Sequence, residues 1–326
     1  MNRKLFLLFI FNFILSINIL SAREMLFSDM QMIIENINID FTLFPTTNTW
    51  NGNNALPILN TRNKRKQSAE ILEAAKQEPN FNGKYRIVEF ESRPGWRHFF
   101  IIDLNNGLVY EIFLWDFYGV KYTKESSLII LNPIEVLPYE NDEYISIGPT
   151  YMHWNGQDLE FLIFINDSAG INIDRRQKIL FSKIRNVAEN VNIDFLLFPT
   201  QNVWDGNSPI PIINTREKRE NRSLIMEAAK LEPNFNGKYR IVEFKDRWGW
   251  LQFFIINLNN GLVYETFMRD IYGIKFTKYS SMILINPIES LPYEDDDHIF
   301  VGPVYKNWNA QNLDFLLSVN AHRGFL

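Results

Sequence analysis

The chain has 326 residues, 46% of them hydrophobic, with 27 phenylalanines, no cysteine and a net charge of −5. A field of that sign draws the whole protein neither to nucleic acid nor to an anionic membrane. The missing cysteine excludes disulfides, thiolate metal sites, a cysteine nucleophile and a lipid-modified N-terminal cysteine, so a mature chain must rely on its apolar core.

Asn2-Arg3-Lys4 is a short basic start, Leu5 to Leu20 is almost wholly apolar, and Ser21-Ala22 offers small residues for cleavage. Residues 1–22 are read as a signal peptide, with the mature chain beginning near Arg23. The apolar run is short for a spanning helix and is interrupted by Asn12, Ser16 and Asn18, and no later segment can cross a bilayer. Leu26 to Leu162 can be laid without a gap on Leu180 to Leu316 at a constant offset of 154 residues. Glu78 to Phe90 recurs unchanged as Glu232 to Phe244. A period of domain size predicts a tandem duplication, with domains at 23–165 and 179–326 and a linker at 166–178.

In chain order, Met30, Ile33, Ile34 and Ile37 fall at helical spacing after Ser28, with Gln31 placed as in a capping box. Ile184, Val187, Ala188 and Val191 answer in the second copy. An apolar run from Ile39 to Phe44 is stopped by Pro45, a polar loop with Trp50 follows, and a strand is predicted over Leu56 to Leu59. Asn60-Thr-Arg62 with Lys64 and Arg65 returns as Asn214-Thr-Arg216 with Lys218 and Arg219, a basic cluster that would suit an anion ahead of a second helix, Gln67 to Lys76. Antiparallel strands are predicted at Tyr85 to Phe90, Phe99 to Leu104 and Leu108 to Phe113, with Asn106-Gly107 as a type I′ turn. Ser127 to Leu131, Tyr144 to Ile147 and Leu159 to Phe164 complete an α+β unit of about six strands and two helices, mainly one antiparallel sheet.

The four histidines are not shared between the copies and none has metal-site spacing, so no metal and no cofactor are expected. Glu89 and Glu111 recur as Glu243 and Glu265. On one face of a sheet each pair would provide the acid and the base or nucleophile of a glycoside hydrolase. Asp116, Tyr118 and Lys121, recurring as Asp270, Tyr272 and Lys275, form a polar loop set read as ligand-binding or as a turn closed by Asp and Lys. Trp50, Trp96 and Trp154 recur as Trp204, Trp250 and Trp308. Trp154 and Trp308, each next to an Asn, are read either as stacking platforms or as core.

The order Pro-Asn-Phe-x-Gly-x-Tyr, then Ile-Ile-Asp-Leu-Asn-Asn-Gly-Leu-Val-Tyr, then Tyr-x-x-Trp-Asn resembles a group of small exported bacterial proteins of unknown function, over Thr61 to Phe164 and Thr215 to Leu317. Those proteins carry Cys-Gly-x-x-Cys where this chain has Arg93-Pro-Gly-Trp96 and Arg247-Trp-Gly-Trp250, so a redox role of that segment is absent. The resemblance implies a bacterial protein of the periplasm or the exterior. The expected function is non-enzymatic binding of an envelope or secreted macromolecule, a protein before a glycan and no nucleic acid, with a carboxylate-dependent glycan hydrolase as the alternative.

Overall fold

A computed structural model describes residues 25–93, 96–113, 118–141, 143–145, 147–166, 179–266, 268, 271–299 and 301–320, with side-chain surroundings for all but 91–93, 96, 97 and 113. The expected signal segment, most of the expected linker, Asp116 and Asp270 lie outside them. The N-terminal half runs β1 (Met25–Leu26), α1 (Phe27–Glu35), α2 (Arg62–Lys66), α3 (Ser68–Ala74), β2 (Tyr85–Arg93), β3 (Trp96–Asp103), β4 (Val109–Phe113), β5 (Val120–Tyr122), β6 (Leu128–Leu131), β7 (Tyr144–Ile145), β8 (Thr150–Trp154) and β9 (Leu159–Ile165). The C-terminal half repeats the order as β10 (Ile179–Leu180), α4 (Phe181–Glu189), α5 (Arg216–Glu220), α6 (Arg222–Ala228), β11 (Tyr239–Lys245), β12 (Leu251–Asn257), β13 (Val263–Thr266), β14 (Ile274–Phe276), β15 (Met282–Ile285), β16 (His298–Ile299), β17 (Val304–Trp308) and β18 (Leu313–Val319). The result is a strand-rich mixture of α and β with several antiparallel sheets.

The strands of one half do not form a single sheet. β2-β3-β4 and β11-β12-β13 are separate three-stranded sheets, whereas the remaining long strands join in one eight-stranded sheet, β14-β15-β17-β18-β9-β8-β6-β5. The halves meet where β9 pairs with β18, Phe164 opposite Ser318. A lone bridge sets Ile37 against Val191. Each of these pairs joins a residue to its own counterpart at the offset of 154, which places a local two-fold axis through both contacts.

Alternation of side chains across each strand then builds four layers. On one face of the large sheet, Met30 and Ile33 of α1 and Ile184 and Val187 of α4 share a core with Leu128, Leu162, Met282 and Leu316. On the other face, Ile129, Met152 and Trp154 pack on Ile87, Phe99 and Ile101 of the first small sheet. Ile283 and Trp308 pack likewise on Ile241, Phe253 and Ile255 of the second. The outer faces of the small sheets are closed by α3, through Ile71 and Ala74 on Phe100 and Ile102, and by α6, through Ile225 and Ala228 on Phe254 and Ile256. Burial of each large apolar side chain contributes about 1.5–3 kcal/mol, so these interlayer contacts hold the fold together. Among the described residues no helix is long and apolar enough to cross a membrane.

Several local expectations are corrected. α1 begins one residue before Ser28, and its N-cap, Leu26, makes no side-chain bond. Its first N–H groups are met instead by the Glu143 and Asn141 carbonyls, at 2.9 and 3.2 Å, so tertiary contact replaces the capping box. Leu56 to Leu59 is an extended strap and not a strand, because Pro57 lacks an N–H; Ala55 and Ile58 alone reach the hairpin, through the Leu104 and Gly107 carbonyls. The Asn106-Gly107 turn is not type I′, since only Gly107 has positive φ (+75°) and its N–H bonds back to the Asp103 carbonyl at 2.8 Å. The turn is a longer loop in which a single left-handed residue suffices.

Gly107 also lies under the strap, where an added Cβ would stand 2.1 Å from the Leu56 carbonyl oxygen. Gly107→Ala is expected to cost about 2 kcal/mol or more through left-handed strain and that clash. At Gly52, where φ is +84° and an added Cβ would meet nothing within 4 Å, the same change should cost about 1 kcal/mol from strain alone. Urea unfolding of the two variants tests this; equal losses would mean that the strap does not constrain the turn.

Candidate functional site

The structure distributes the predicted residues among roles that are mostly structural. Glu89 sits opposite Phe99 and Glu111 opposite Phe100, on strands that flank β3 on either side. Phe99 and Phe100 are consecutive and point to opposite faces, so the two carboxylates lie on opposite faces of the sheet. Glu243, opposite Phe253, and Glu265, opposite Phe254, are separated in the same way. The expectation of paired acids on one face is therefore overturned. Glu243 is pushed above its ordinary value by burial. Glu111 and Glu265 instead receive the hydroxyls of the helix N-caps Thr61 and Thr215.

The basic cluster is itself a helix, α2, rather than a loop ahead of one. Thr61 caps it by accepting from Lys64 N at 3.2 Å, as Thr215 caps α5 by accepting from Lys218 N at 3.3 Å. Lys64 is only 9% exposed and donates to Asn60 Oδ1 at 2.9 Å. Burial draws its ammonium below the ordinary lysine value, with Glu111 opposing. Lys218 repeats the arrangement on Asn214 Oδ1 at 3.0 Å, with Glu265 4.0 Å away. Arg65 bonds the Leu59 and Asn60 carbonyls and Arg219 the Thr215 carbonyl. Arg62 is exposed. Lys64, Arg65, Lys218 and Arg219 thus spend donors on closing their own helices.

Lys121 pairs with Glu135 at 2.6 Å, and Lys275 pairs with Glu289. Tyr118 and Tyr139 meet through their hydroxyls at 3.2 Å, as do Tyr272 and Tyr293 at 3.0 Å. Burial and the bond to Tyr118 push Tyr139 up to about 12. Each half thus closes the loop after β6 or β15 with the same tyrosine pair and ion pair. Trp154 and Trp308 are 1% and 4% exposed and belong to the core, which excludes them as stacking platforms. Trp50 and Trp204 are half-buried, their indole N–H groups bonded to Asn54 Oδ1 and to the Asn207 carbonyl.

An exposed aromatic beside a cleft lies elsewhere. The turn from β11 to β12 is pinned by Asp246, whose Oδ1 accepts from the N–H groups of Trp248 and Trp250, both at 2.9 Å. Its backbone N–H and C=O close the same turn with Trp250 and Gly249. So fixed, the turn projects Trp248 outward at 67% exposure, with the Arg247 guanidinium 3.9 Å from the centre of the indole. Beside it α5 presents Arg216, Glu217 and Glu220, with Arg216 Nε bonded to Glu220 at 2.7 Å. Gln252, locked to the backbone of Met268 at 2.6 Å, forms the floor. These residues line a cleft of about 420 Å³.

Trp248 is invisible to a search built on recurrence, because its counterpart is Pro94. Glu217, Glu220 and Asp246 likewise stand where the first half has Asn63, Lys66 and Ser92. The usable signal is the departure between the halves, since the recurring residues are those that both cores need. No protein-family model, no curated protein and no solved structure matches the chain. Among the described residues no three His, Asp or Glu side chains are grouped as a metal site would require.

Proposed function

We propose that the chain is an exported, non-enzymatic binding protein of a bacterial envelope, arisen by tandem duplication of one α+β unit, and that its second half holds the ligand in the cleft at Trp248. The observation that carries this reading is the large aromatic held out at the mouth of a cleft by a side chain, Asp246, that spends two hydrogen bonds on fixing the turn. An indole held at two-thirds exposure adds little to folding and leaves a large amphipathic surface free to bind. The basic and apolar N-terminal stretch supports export, and the constant offset of 154 with its two-fold contacts supports duplication. The hydrolase alternative draws no support from Glu89 and Glu111, which face apart.

Immobilised protein spanning residues 23–326 is expected to retain material from a solubilised bacterial envelope fraction, and the Trp248→Ala protein is not. The exposed side chain should leave the unfolding temperature of that variant within about a degree of wild type, since surface substitutions change stability by less than about 0.5 kcal/mol. Equal retention by both proteins would remove the cleft from the function.

A further inference from the structure

We infer that the cleft at Trp248 selects an uncharged saccharide, an inference that rests on the binding reading above. Its charges are largely matched within the protein. Glu220 is paired with Arg216, Arg247 lies over the indole, and Asp246 is committed through one oxygen to two backbone N–H groups. Three carboxylates and two guanidiniums line the same small space, so neither an anion nor a polycation meets a field of one sign.

Each of these groups keeps capacity to bond outward. The second oxygens of Glu220 and Asp246 are acceptors not used by these bonds, Glu217 is held only by a long contact of 3.4 Å from Asn221, and a guanidinium has five N–H donors of which Arg216 spends one on Glu220. Acceptors and donors set beside a largely exposed indole fit a ligand rich in groups that both donate and accept and whose ring offers a C–H face. Hydroxyls on a sugar ring have those properties. A peptide strand offers separate donors and acceptors at fixed spacing, and a phosphate or sulfate would face the carboxylates. The counterpart positions Asn63, Lys66, Ser92 and Pro94 lack both the acids and the indole, so one site per chain is expected.

The test is calorimetric titration and a printed array carrying neutral hexose, N-acetylhexosamine, uronate and sulfated oligosaccharides together with basic and acidic peptides. Binding to hexose or N-acetylhexosamine oligosaccharides is expected with a stoichiometry of one. It should weaken about ten-fold or more in Trp248→Ala and in Glu217→Ala, and largely return in Trp248→Phe, where the ring is kept. Binding confined to anionic sugars or to peptides overturns the saccharide inference. Capture from the envelope fraction that depends on Trp248, without binding to any array sugar, also overturns it and leaves the broader reading standing. If neither the fraction nor the array shows dependence on Trp248, the reading of the cleft falls and the inference with it.

Discussion

Trp154→Ala and Trp308→Ala are each expected to lower the unfolding free energy by about 3–5 kcal/mol, the usual cost of emptying a large aromatic site in a core. Trp154 stands edge-on to Tyr85 at 5.7 Å and to Tyr110 at 4.9 Å, and Trp308 repeats both contacts with Tyr239 and Tyr264 at the same distances. Such pairs add about 0.5–1.5 kcal/mol beyond the area that they bury. Both rings fill the space between the large sheet and a small one, so their loss opens a cavity that two rigid sheets cannot close by shifting a single side chain. The two clusters share no residue, and the double variant should lose the sum of the single losses within about 0.5 kcal/mol. Urea unfolding at neutral pH decides. Retained stability together with lost ligand binding would return these tryptophans to the role of stacking platforms.

The second large effect lies between the halves. Glu160 of β9 receives Lys183 of α4 at 2.6 Å, His153 of β8 at 2.9 Å and Asn155 at 3.0 Å, and only 16% of its side chain is exposed. The His153 Nδ1 atom is also 3.1 Å from Lys183 Nζ, so that nitrogen either donates to the carboxylate or accepts from the ammonium, according to tautomer. Burial alone would raise the Glu160 carboxyl, but the bonds from His153, Lys183 and Asn155 overcome it and hold the group down at about 2, against an ordinary 4.5. A folded-state value below the unfolded one stabilises above the unfolded value, and that stabilisation is lost as pH falls through the folded one. The contribution is thus complete above pH 4.5 and gone near pH 2. Its size is on the order of 3 kcal/mol. Glu160→Gln should therefore be less stable than wild type by that order at pH 7, with the gap closing between pH 4.5 and 2. A gap independent of pH over that window would show that the glutamate acts by packing and not by charge. Lys183→Met, which leaves a buried carboxylate with fewer donors, should also weaken the hold of α4 on the first half.

The corrections follow a pattern that runs from Glu89 to Trp248. Alternating or continuous apolar runs bounded by turn residues locate β2, β3, β4, β6 and β9, and the strand period tells which residues of each share a face. It puts Glu89 and Glu111 on strands, but their relation to each other depends on the register across β3, and register is set by a strand whose own sequence is mostly apolar. Trp154 and Trp248 are the same residue type beside polar neighbours. One is covered by a second sheet and the other only by the Arg247 guanidinium, and no local pattern distinguishes them. β5, only three residues long, and β8, embedded in a motif of aromatic and polar residues, give too short a period to be read as strands.

By itself the sequence determined the order and type of the longer elements, the recurrence of Leu26 to Leu162 at one offset, the absence of thiol chemistry, and the apolar faces that had to be buried. These are consequences of nearest-neighbour sterics and of periodicity, which act within a few residues. Only the tertiary structure decided that the strands of both halves enter one eight-stranded sheet, that Lys64 and Trp154 are interior, that paired carboxylates face apart, and that Trp248 stands in water. Each of those outcomes depends on which surface, many residues away, comes to lie over a given side chain. An apolar face specifies that it must be covered, and leaves open what covers it.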